Sequence, residues 1–147
     1  MTRALVVDDA ADLRFLMREV LSRSGVTVEE AASGVDALDR LAGPDHPDVV
    51  ILDVQMPDMD GWETLQAMRR RHGDEVGIVL CTVRSHPADA VRAYELGCDA
   101  YLGKPFDIRE LAATATSVGT FTTAERVAHR REALAVAREA LVGERSP

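Results

Sequence analysis

Residues 49–53 read VVILD, and this run is the most informative stretch of the chain for predicting its fold. Its four consecutive apolar residues do not alternate with polar ones, which is typical of a strand buried on both faces of a parallel sheet. Comparable runs occupy residues 4–7 and 77–81, and shorter apolar stretches predict weaker strands at 26–29 and 100–102. The chain is therefore expected to contain five strands.

Helical patterns follow the predicted strands. Apolar residues recur at three- and four-residue spacing near residues 13–21, 35–41, 62–68, 91–96 and from 108 onward. Five strands that are each followed by a helix, with right-handed crossovers, predict an α/β fold. The expected architecture is an open doubly wound five-stranded parallel sheet, which is the flavodoxin-like (βα)5 arrangement.

The composition excludes several classes of protein. The 147 residues are 46% hydrophobic and 29% charged, with a formal net charge of -8, which opposes non-specific binding to nucleic acid. Apolar runs stay shorter than the ~18 residues of a membrane span, and Asp8 and Asp9 interrupt the N-terminus before a signal-peptide core could form. The two cysteines, Cys81 and Cys98, are too few for a disulfide framework. We therefore expect a cytoplasmic protein with no direct contact to nucleic acid or membrane.

A change of charge divides the chain. Residues 1–121 carry 12 basic and 21 acidic side chains, whereas residues 122–147 carry 5 basic and 4 acidic ones. We predict a compact body over 1–121 and a helical extension or connector over 122–147.

The extension has a seven-residue repeat that includes Val127, Leu134 and Leu141. A coiled-coil seam needs a second apolar position in each heptad, and Arg130 and Ala137 make a poor one. Three interpretations stay open. The helix packs on the body or runs into solvent, it connects to a partner or output domain, or it is a dimer arm.

Polar residues stand where the predicted strands end. Asp8, Asp9, Asp53 and Thr82 end strong apolar runs, and Lys104, the single lysine of the chain, follows the last strand. The carboxyl ends of parallel strands form the ligand-binding edge of an open α/β sheet. Three carboxylates there would repel by about 1–4 kcal/mol per pair, and Mg²⁺ is the hard cation that such oxygen donors suit.

The same residues suit phosphoryl transfer. Asp53 would be the nucleophile, because a carboxylate is ionised at neutral pH without a separate base. Thr82 would donate a hydrogen bond, and Lys104 would place a positive charge near the transferring group.

At this point the chain resembles the receiver domain of two-component response regulators, over about residues 1–121. Four motifs in order carry the resemblance: residues 7–9 (VDD), residues 52–61 (LDVQMPDMDG), Thr82 and residues 101–106 (YLGKPF).

The resemblance implies a phosphoacceptor and a metal site. Asp53 would accept a phosphoryl group from a histidine kinase or a phosphotransfer protein. Asp8, Asp9 and Asp53 would hold Mg²⁺ together with the backbone carbonyl of Gln55. The protein would catalyse only its own phosphorylation and dephosphorylation, and it would not be an enzyme for an external substrate.

The resemblance also implies a switch. Thr82 and Tyr101 would move on phosphorylation, and the Lys104–Pro105 peptide bond would be cis, which costs little before proline. The surface that would respond is formed by the fourth helix, fifth strand and fifth helix. That surface, or the C-terminal helix, would also be a possible homodimer interface.

Three positions depart from the common pattern or flank the site. Val83 is larger than the residue usually found after the threonine, so we expect it to crowd the phosphoryl pocket. We predict that Arg84 and Gln55 obstruct the attacking water and prolong the phosphorylated state.

Two other classes of protein stay open. One is a phosphorylation-independent scaffold or dimerisation module, and the other is an aspartate-based phosphohydrolase, which usually has an acid at the position of Gln55.

Two minor expectations complete the prediction. Asp12 is the candidate N-cap of the first helix, which would leave Asp8 and Asp9 free of a capping role. The four histidines have no metal-ligand spacing and are assigned no role: His46, His72, His86 and His129.

Overall fold

Five strand–helix pairs and one further helix make up the structure, a computed structural model that describes residues 2–83 and 86–145. The elements in chain order are β1 (Arg3–Val7), α1 (Ala11–Arg23), β2 (Thr27–Ala31), α2 (Gly34–Leu41), β3 (Val49–Asp53), α3 (Gly61–His72), β4 (Gly77–Thr82), α4 (Pro87–Glu95), β5 (Ala100–Gly103), α5 (Ile108–Thr120) and α6 (Thr123–Arg145).

All five strands form one parallel sheet with the order β2-β1-β3-β4-β5. Val50 of β3 stands in register with Leu5 of β1 and Ile78 of β4, so β3 lies at the centre of the sheet. The predicted open doubly wound fold is confirmed. The chain moves outward in opposite directions from β1 and β3, and the carboxyl ends of these two strands therefore border the crevice where such folds bind ligands.

The strand residues alternate between two cores. Leu5, Val50 and Ile78 pack into the core under α2, α3 and α4, whereas Val6 and Ile51 pack into the core under α1 and α5. Because both faces of the sheet are covered, every residue of β3 and β4 is buried. This double burial explains the continuous apolar runs.

The start of α1 differs from the prediction. Its N-cap is Ala10, which forms no side-chain cap, and Asp12 lies within the first turn. The helix begins earlier than expected because the Asp8 carboxylate accepts a hydrogen bond of 2.9 Å from the Ala10 N–H. Asp8 therefore helps to shape the turn between β1 and α1, and the expectation that Asp12 is the cap was wrong.

The predicted helix of the extension is present as α6. A reciprocal capping box starts it: the Thr122 N–H donates to Glu125 Oε1 at 3.0 Å, and the Glu125 N–H donates to Thr122 Oγ1 at 3.1 Å. The helix turns back and packs along α4. Of the interpretations left open, packing on the body describes this structure. Across residues 2–83 and 86–145, none of the helices combines the length and the apolar character that a membrane crossing requires.

Candidate functional site

Three carboxylates meet at the carboxyl edge of the sheet. Asp53 is the last residue of β3, and Asp8 and Asp9 follow β1 directly. One carboxylate oxygen from each of the three residues lies within 4.8 Å of the other two. Asp8 and Asp53 are buried, with exposures of 2% and 4%, whereas Asp9 is exposed. The group is therefore a notch that opens to solvent on the side of Asp9.

Lys104 reaches the same notch from the end of β5. Its Nζ donates to Asp53 Oδ1 at 2.8 Å and to Asp8 Oδ2 at 3.2 Å. The Lys104 backbone N–H donates to the Thr82 carbonyl, which fixes the start of the β5–α5 loop against β4. The Lys104–Pro105 peptide bond is cis, as predicted.

The charges in the notch are unbalanced. Burial raises the pKa of Asp53, the Lys104 hydrogen bond opposes this, and the charge on Asp8 adds to it. Burial alone would lower the pKa of Lys104, but its contacts with Asp53 and Asp8 outweigh that effect and the pKa is raised. One ammonium against three carboxylates leaves an excess of negative charge. The hard oxygen donors and this excess fit a Mg²⁺ ion.

Thr82 and Gln55 form a bridge beside the notch. Thr82 ends β4 and is 1% exposed, and its Oγ1 accepts a hydrogen bond of 3.1 Å from Nε2 of the exposed Gln55. Roles were predicted for both residues, but their contact was not. The Gln55 amide is therefore hydrogen-bonded to the Thr82 hydroxyl oxygen in this structure.

A tight turn places Gln55 after β3. Gly61 begins α3, and its N–H donates to the Val54 carbonyl at 2.9 Å. A Cβ at this position would lie 2.6 Å from the Val54 Cα and would also overlap the Asp53 carbonyl. Glycine is therefore required for α3 to pack against the residue that follows the phosphoacceptor candidate.

Two further predicted residues lie around this edge. Tyr101 of β5 is half-buried against the α4-side core, and burial raises its pKa to about 12. Val83 is 62% exposed, so its side chain faces solvent in this structure, in contrast to the expected crowding of the pocket. Arg84 lies outside the described residues.

The opposite edge of the sheet carries two polar clusters that sequence reasoning missed. One consists of His46, which precedes β3, and of His72 and Glu75, which lie together where α3 ends. The other surrounds Asp99, which is bound by arginines from α3 and α6. His46 lies far from His72 and Glu75 in the sequence, and Asp99 lies far from Arg69 and Arg130, so only the fold completes each cluster.

Comparison with protein families and curated proteins gives a consistent result. A family model described as the response regulator receiver domain matches residues 4–116. A response regulator named MprA from Mycobacterium avium is 43% identical over 111 residues, which cover 76% of this chain and 48% of that protein. MprA from Mycobacterium tuberculosis has the same identity over the same length. The chain spans about half the length of the curated relatives it matches.

Solved structures share the fold. The chemotaxis protein CheY4 of Vibrio cholerae has a TM-score of 0.74 at 32% identity, covering 80% of this chain and 98% of its own. The response regulator TrrA of Thermotoga maritima, solved in complex with Mg(2+)-BeF, has a TM-score of 0.70 at 33% identity, covering 80% and 99%.

Proposed function

The chain belongs to the response regulator receiver family of two-component systems, and from this premise we propose that it is a Mg²⁺-dependent switch phosphorylated on Asp53. A histidine kinase or a phosphotransfer protein would be the donor. The observation that carries the proposal is the convergence of Lys104 with Asp8 and Asp53 at 3.2 and 2.8 Å, beside the exposed Asp9. Buried carboxylates gathered in this way need an additional cation, and a phosphoryl group brings its own negative charge to the same place.

The proposed reaction transfers the phosphoryl group to a carboxylate oxygen. An Asp53 oxygen attacks the phosphorus, the bond from phosphorus to the donor nitrogen breaks, and the electron pair leaves with the donor. Lys104 keeps Asp53 in its reactive ionised form against the effect of burial, and it can then pair with a phosphoryl oxygen. Asp8, Asp9, Asp53 and the Gln55 carbonyl would hold the metal ion. When bound, the ion would neutralise charge on the phosphoryl oxygens.

The proposed switch begins at Thr82. Its hydroxyl would leave the Gln55 amide and donate to the new phosphoryl group, because a charged acceptor forms the stronger hydrogen bond. Tyr101 would then move inward and change the face formed by α4, β5 and α5. Val83 and Arg84, which follow Thr82, would modulate the rate at which the phosphoryl group is gained and lost.

Several observations support this assignment. TrrA, which is similar over 80% of this chain, was solved with Mg(2+)-BeF. Cys81 and Cys98 are free thiols, which agrees with a cytoplasmic location. In this proposal residues 1–121 are the working switch, and 122–147 respond to it.

Labelling with a small phosphodonor tests the proposal. Acetyl phosphate and Mg²⁺ should add one phosphoryl group to the wild type, detected by intact mass, and should add none to Asp53→Asn. Asp58→Asn is the matched control, since it removes a carboxylate from the adjacent loop at a backbone conformation that asparagine tolerates. Labelling that persists in Asp53→Asn would overturn the assignment. No labelling of any variant, without measurable Mg²⁺ affinity, would favour the phosphorylation-independent scaffold.

A further inference from the structure

α6 covers the face that the proposed switch would alter. A groove of about 430 Å³ lies between α6 and the body. Small side chains of α6 line one side of it, and residues of α4 and β5 line the other: Ala133, Val136, Ala137 and Ala140 from α6, and Pro87, Ala90, Tyr94 and Tyr101 from the body. Ala137 is only 8% exposed, so α6 approaches the body closely there. We call this surface, made of Pro87, Ala90, Tyr94 and Tyr101, the α4–β5 face. Its occupant in this structure is a segment of the same chain.

The first half of α6 is held firmly at one end of that face. Arg130 donates to Asp99 Oδ1 at 2.8 Å and to Asp74 Oδ1 at 3.0 Å, while Arg69 of α3 donates to Asp99 Oδ2 at 2.8 Å. Arg126 is 5% exposed, and its Nε lies 3.7 Å from Asp99 Oδ2. We call these five residues the Asp99 anchor. Removing one partner of such a buried ion pair strongly destabilises the fold, because the other charge stays buried without a counter-charge.

The second half of α6 is held weakly. Val136 and Val142 are 66% and 65% exposed. Arg138 reaches Glu95 Oε1 at 3.3 Å, but both side chains are at least half exposed, and such surface pairs contribute only about 0.2–1 kcal/mol. The attachment of α6 therefore weakens along its length.

The attachment of α6 weakens from the edge of the sheet opposite Asp53 toward the edge that carries Asp53. Asp99 directly precedes β5, at the edge opposite Asp53. From Arg130 to Ala140 the helix rises about 15 Å, which is close to the length of a five-residue strand. The weakly held half therefore lies beside Pro87, where α4 begins after the Thr82 edge.

We propose that α6 is an intramolecular occupant of the α4–β5 face, and that phosphorylation releases its second half while the Asp99 anchor keeps the first half in place. This inference rests on the proposed function. Tyr101 lies beneath α6 and, on moving inward, would withdraw surface from the seam between α6 and the α4–β5 face, which Ala133 and Ala137 line. The face freed in this way becomes accessible to a partner only in the phosphorylated state.

Amide hydrogen exchange measured with and without acetyl phosphate tests the release. Phosphorylation, verified by intact mass, should accelerate exchange across residues 133–142 by about tenfold or more and leave 126–130 unchanged. Unchanged exchange over 133–142 in the fully phosphorylated protein would overturn the proposal. So would equal acceleration over 126–130, since the anchor would then not hold.

A substitution in the seam tests occupancy without phosphate. Ala137→Glu places a charge where α6 meets the body and should accelerate exchange over 133–142 in the unphosphorylated protein. Ala135→Glu, on the exposed side of the same helix, is the matched control and should have no such effect. If Ala137→Glu behaves like its control, α6 does not depend on this seam and the proposal fails. If no phosphoryl group is incorporated, the proposed function and the control of α6 by phosphate fail together, but the Ala137→Glu result still decides whether α6 occupies the face.

A separate observation concerns metal binding at the opposite edge. His46, before β3, His72, at the end of α3, and Glu75, before β4, place one donor atom each within 4.8 Å of one another. His46 Nδ1 lies 3.7 Å from Glu75 Oε2, and the two imidazole rings lie 4.9 Å apart. The ligand atoms of tetrahedral zinc lie about 3.4 Å apart. Small movements of the His46, His72 and Glu75 side chains would bring their donor atoms to this spacing.

The backbone around these side chains is fixed by hydrogen bonds. The Glu75 N–H donates to the His72 carbonyl at 3.3 Å, and Arg3 Nη1 donates to the His46 carbonyl at 3.3 Å. We infer that His46, His72 and Glu75 bind Zn²⁺ with water as the fourth ligand, because two imidazoles and one carboxylate are a donor set that zinc takes in proteins.

Calorimetric titration with Zn²⁺ tests the site in the presence of excess Mg²⁺, which competes with zinc for the notch at Asp8, Asp9 and Asp53. His72→Ala should weaken zinc binding by more than about tenfold. His86→Asn, which removes a histidine but keeps a good N-cap for α4, should bind zinc like the wild type. Equal zinc binding by the wild type and His72→Ala, with both folded by circular dichroism, would overturn the inference.

Discussion

The Nζ of Lys104 lies 2.8 Å from Oδ1 of Asp53, although 51 residues separate them in the sequence. The same ammonium lies 3.2 Å from Asp8 Oδ2. One cation therefore serves two buried carboxylates, with the exposed Asp9 beside them. The response of the protein to substitution, pH and magnesium follows from this imbalance of charge.

Removing the cation should destabilise the fold in a magnesium-dependent way. Lys104→Met leaves buried carboxylates without a counter-charge, so we expect the free energy of unfolding to fall by about 1–3 kcal/mol without magnesium. Added Mg²⁺ should restore more stability to this variant than to the wild type. Urea denaturation with and without MgCl₂ measures both effects, and an identical magnesium response in the two proteins would argue against a shared site. Lys104→Arg keeps the charge and should stay close to the wild type in stability.

The pH dependence of stability should report on Asp53. Its pKa is raised in the folded protein by burial, so protonation of Asp53 favours folding. This contribution is present at acidic pH and is lost as the pH rises through the folded-state pKa. Asp53→Asn should therefore be more stable than the wild type at neutral pH without magnesium, and the difference should shrink toward about pH 4. Urea midpoints across this range measure it, and a difference that grows toward acid would contradict the sign.

Gln55 should control the lifetime of the phosphorylated state. Gln55→Ala removes the amide that donates to Thr82 Oγ1, which is the group predicted to obstruct the attacking water. We expect phosphate loss to accelerate by about fivefold, which corresponds to about 1 kcal/mol in the barrier. Timing the loss of the phosphoryl group by intact mass checks this, with Gln55→Asn as the control that keeps an amide. Arg84→Ala tests the other predicted obstruction, and unchanged lifetimes in both alanine variants would reject the hypothesis.

Asp99 should matter more to stability than its surface neighbours. Asp99→Asn leaves Arg69, Arg126 and Arg130 facing one another across an uncharged group, so we expect a loss of about 3–5 kcal/mol. Asp74→Asn removes a more exposed partner and should cost about 1 kcal/mol. Urea denaturation compares the two variants, and equal losses would show that Asp99 is not the centre of the cluster.

The predictable part of the molecule is the part that local pattern determines. Strands buried on both faces of a sheet are apolar along their length. VVILD at residues 49–53 therefore predicted such a strand, and all five residues of β3 are buried. Parallel strands end at one edge, so Asp8, Asp53 and Thr82 could be placed together without coordinates. The contact of Lys104 with Asp53 and Asp8 agrees with that placement for the two carboxylates.

Long-range pairing explains what the pattern could not reveal. The repeated residues of the extension, Val127, Leu134 and Leu141, are each only half-buried, whereas α6 buries Arg126 and Ala137. Arg126 can be buried here because its Nε lies 3.7 Å from Asp99 Oδ2 and its guanidinium donates to the backbone carbonyls of Asp74 and Phe121. No local sequence pattern predicts these contacts. The meeting of His46 with His72 has the same origin, since the segment before β3 and the end of α3 bring them to one edge.

The direction of α6 has a practical consequence. α5 delivers the chain to the edge farthest from Asp53, where Gly119 packs near Thr2 and Asp48, and α6 then carries it back toward the acidic notch. Gly143 has open space where a side chain would stand, and Cys81 and Cys98 are buried. A fluorophore attached through Gly143→Cys would therefore sit selectively near the end of α6, where the proposed release of this helix on phosphorylation would change its optical signal.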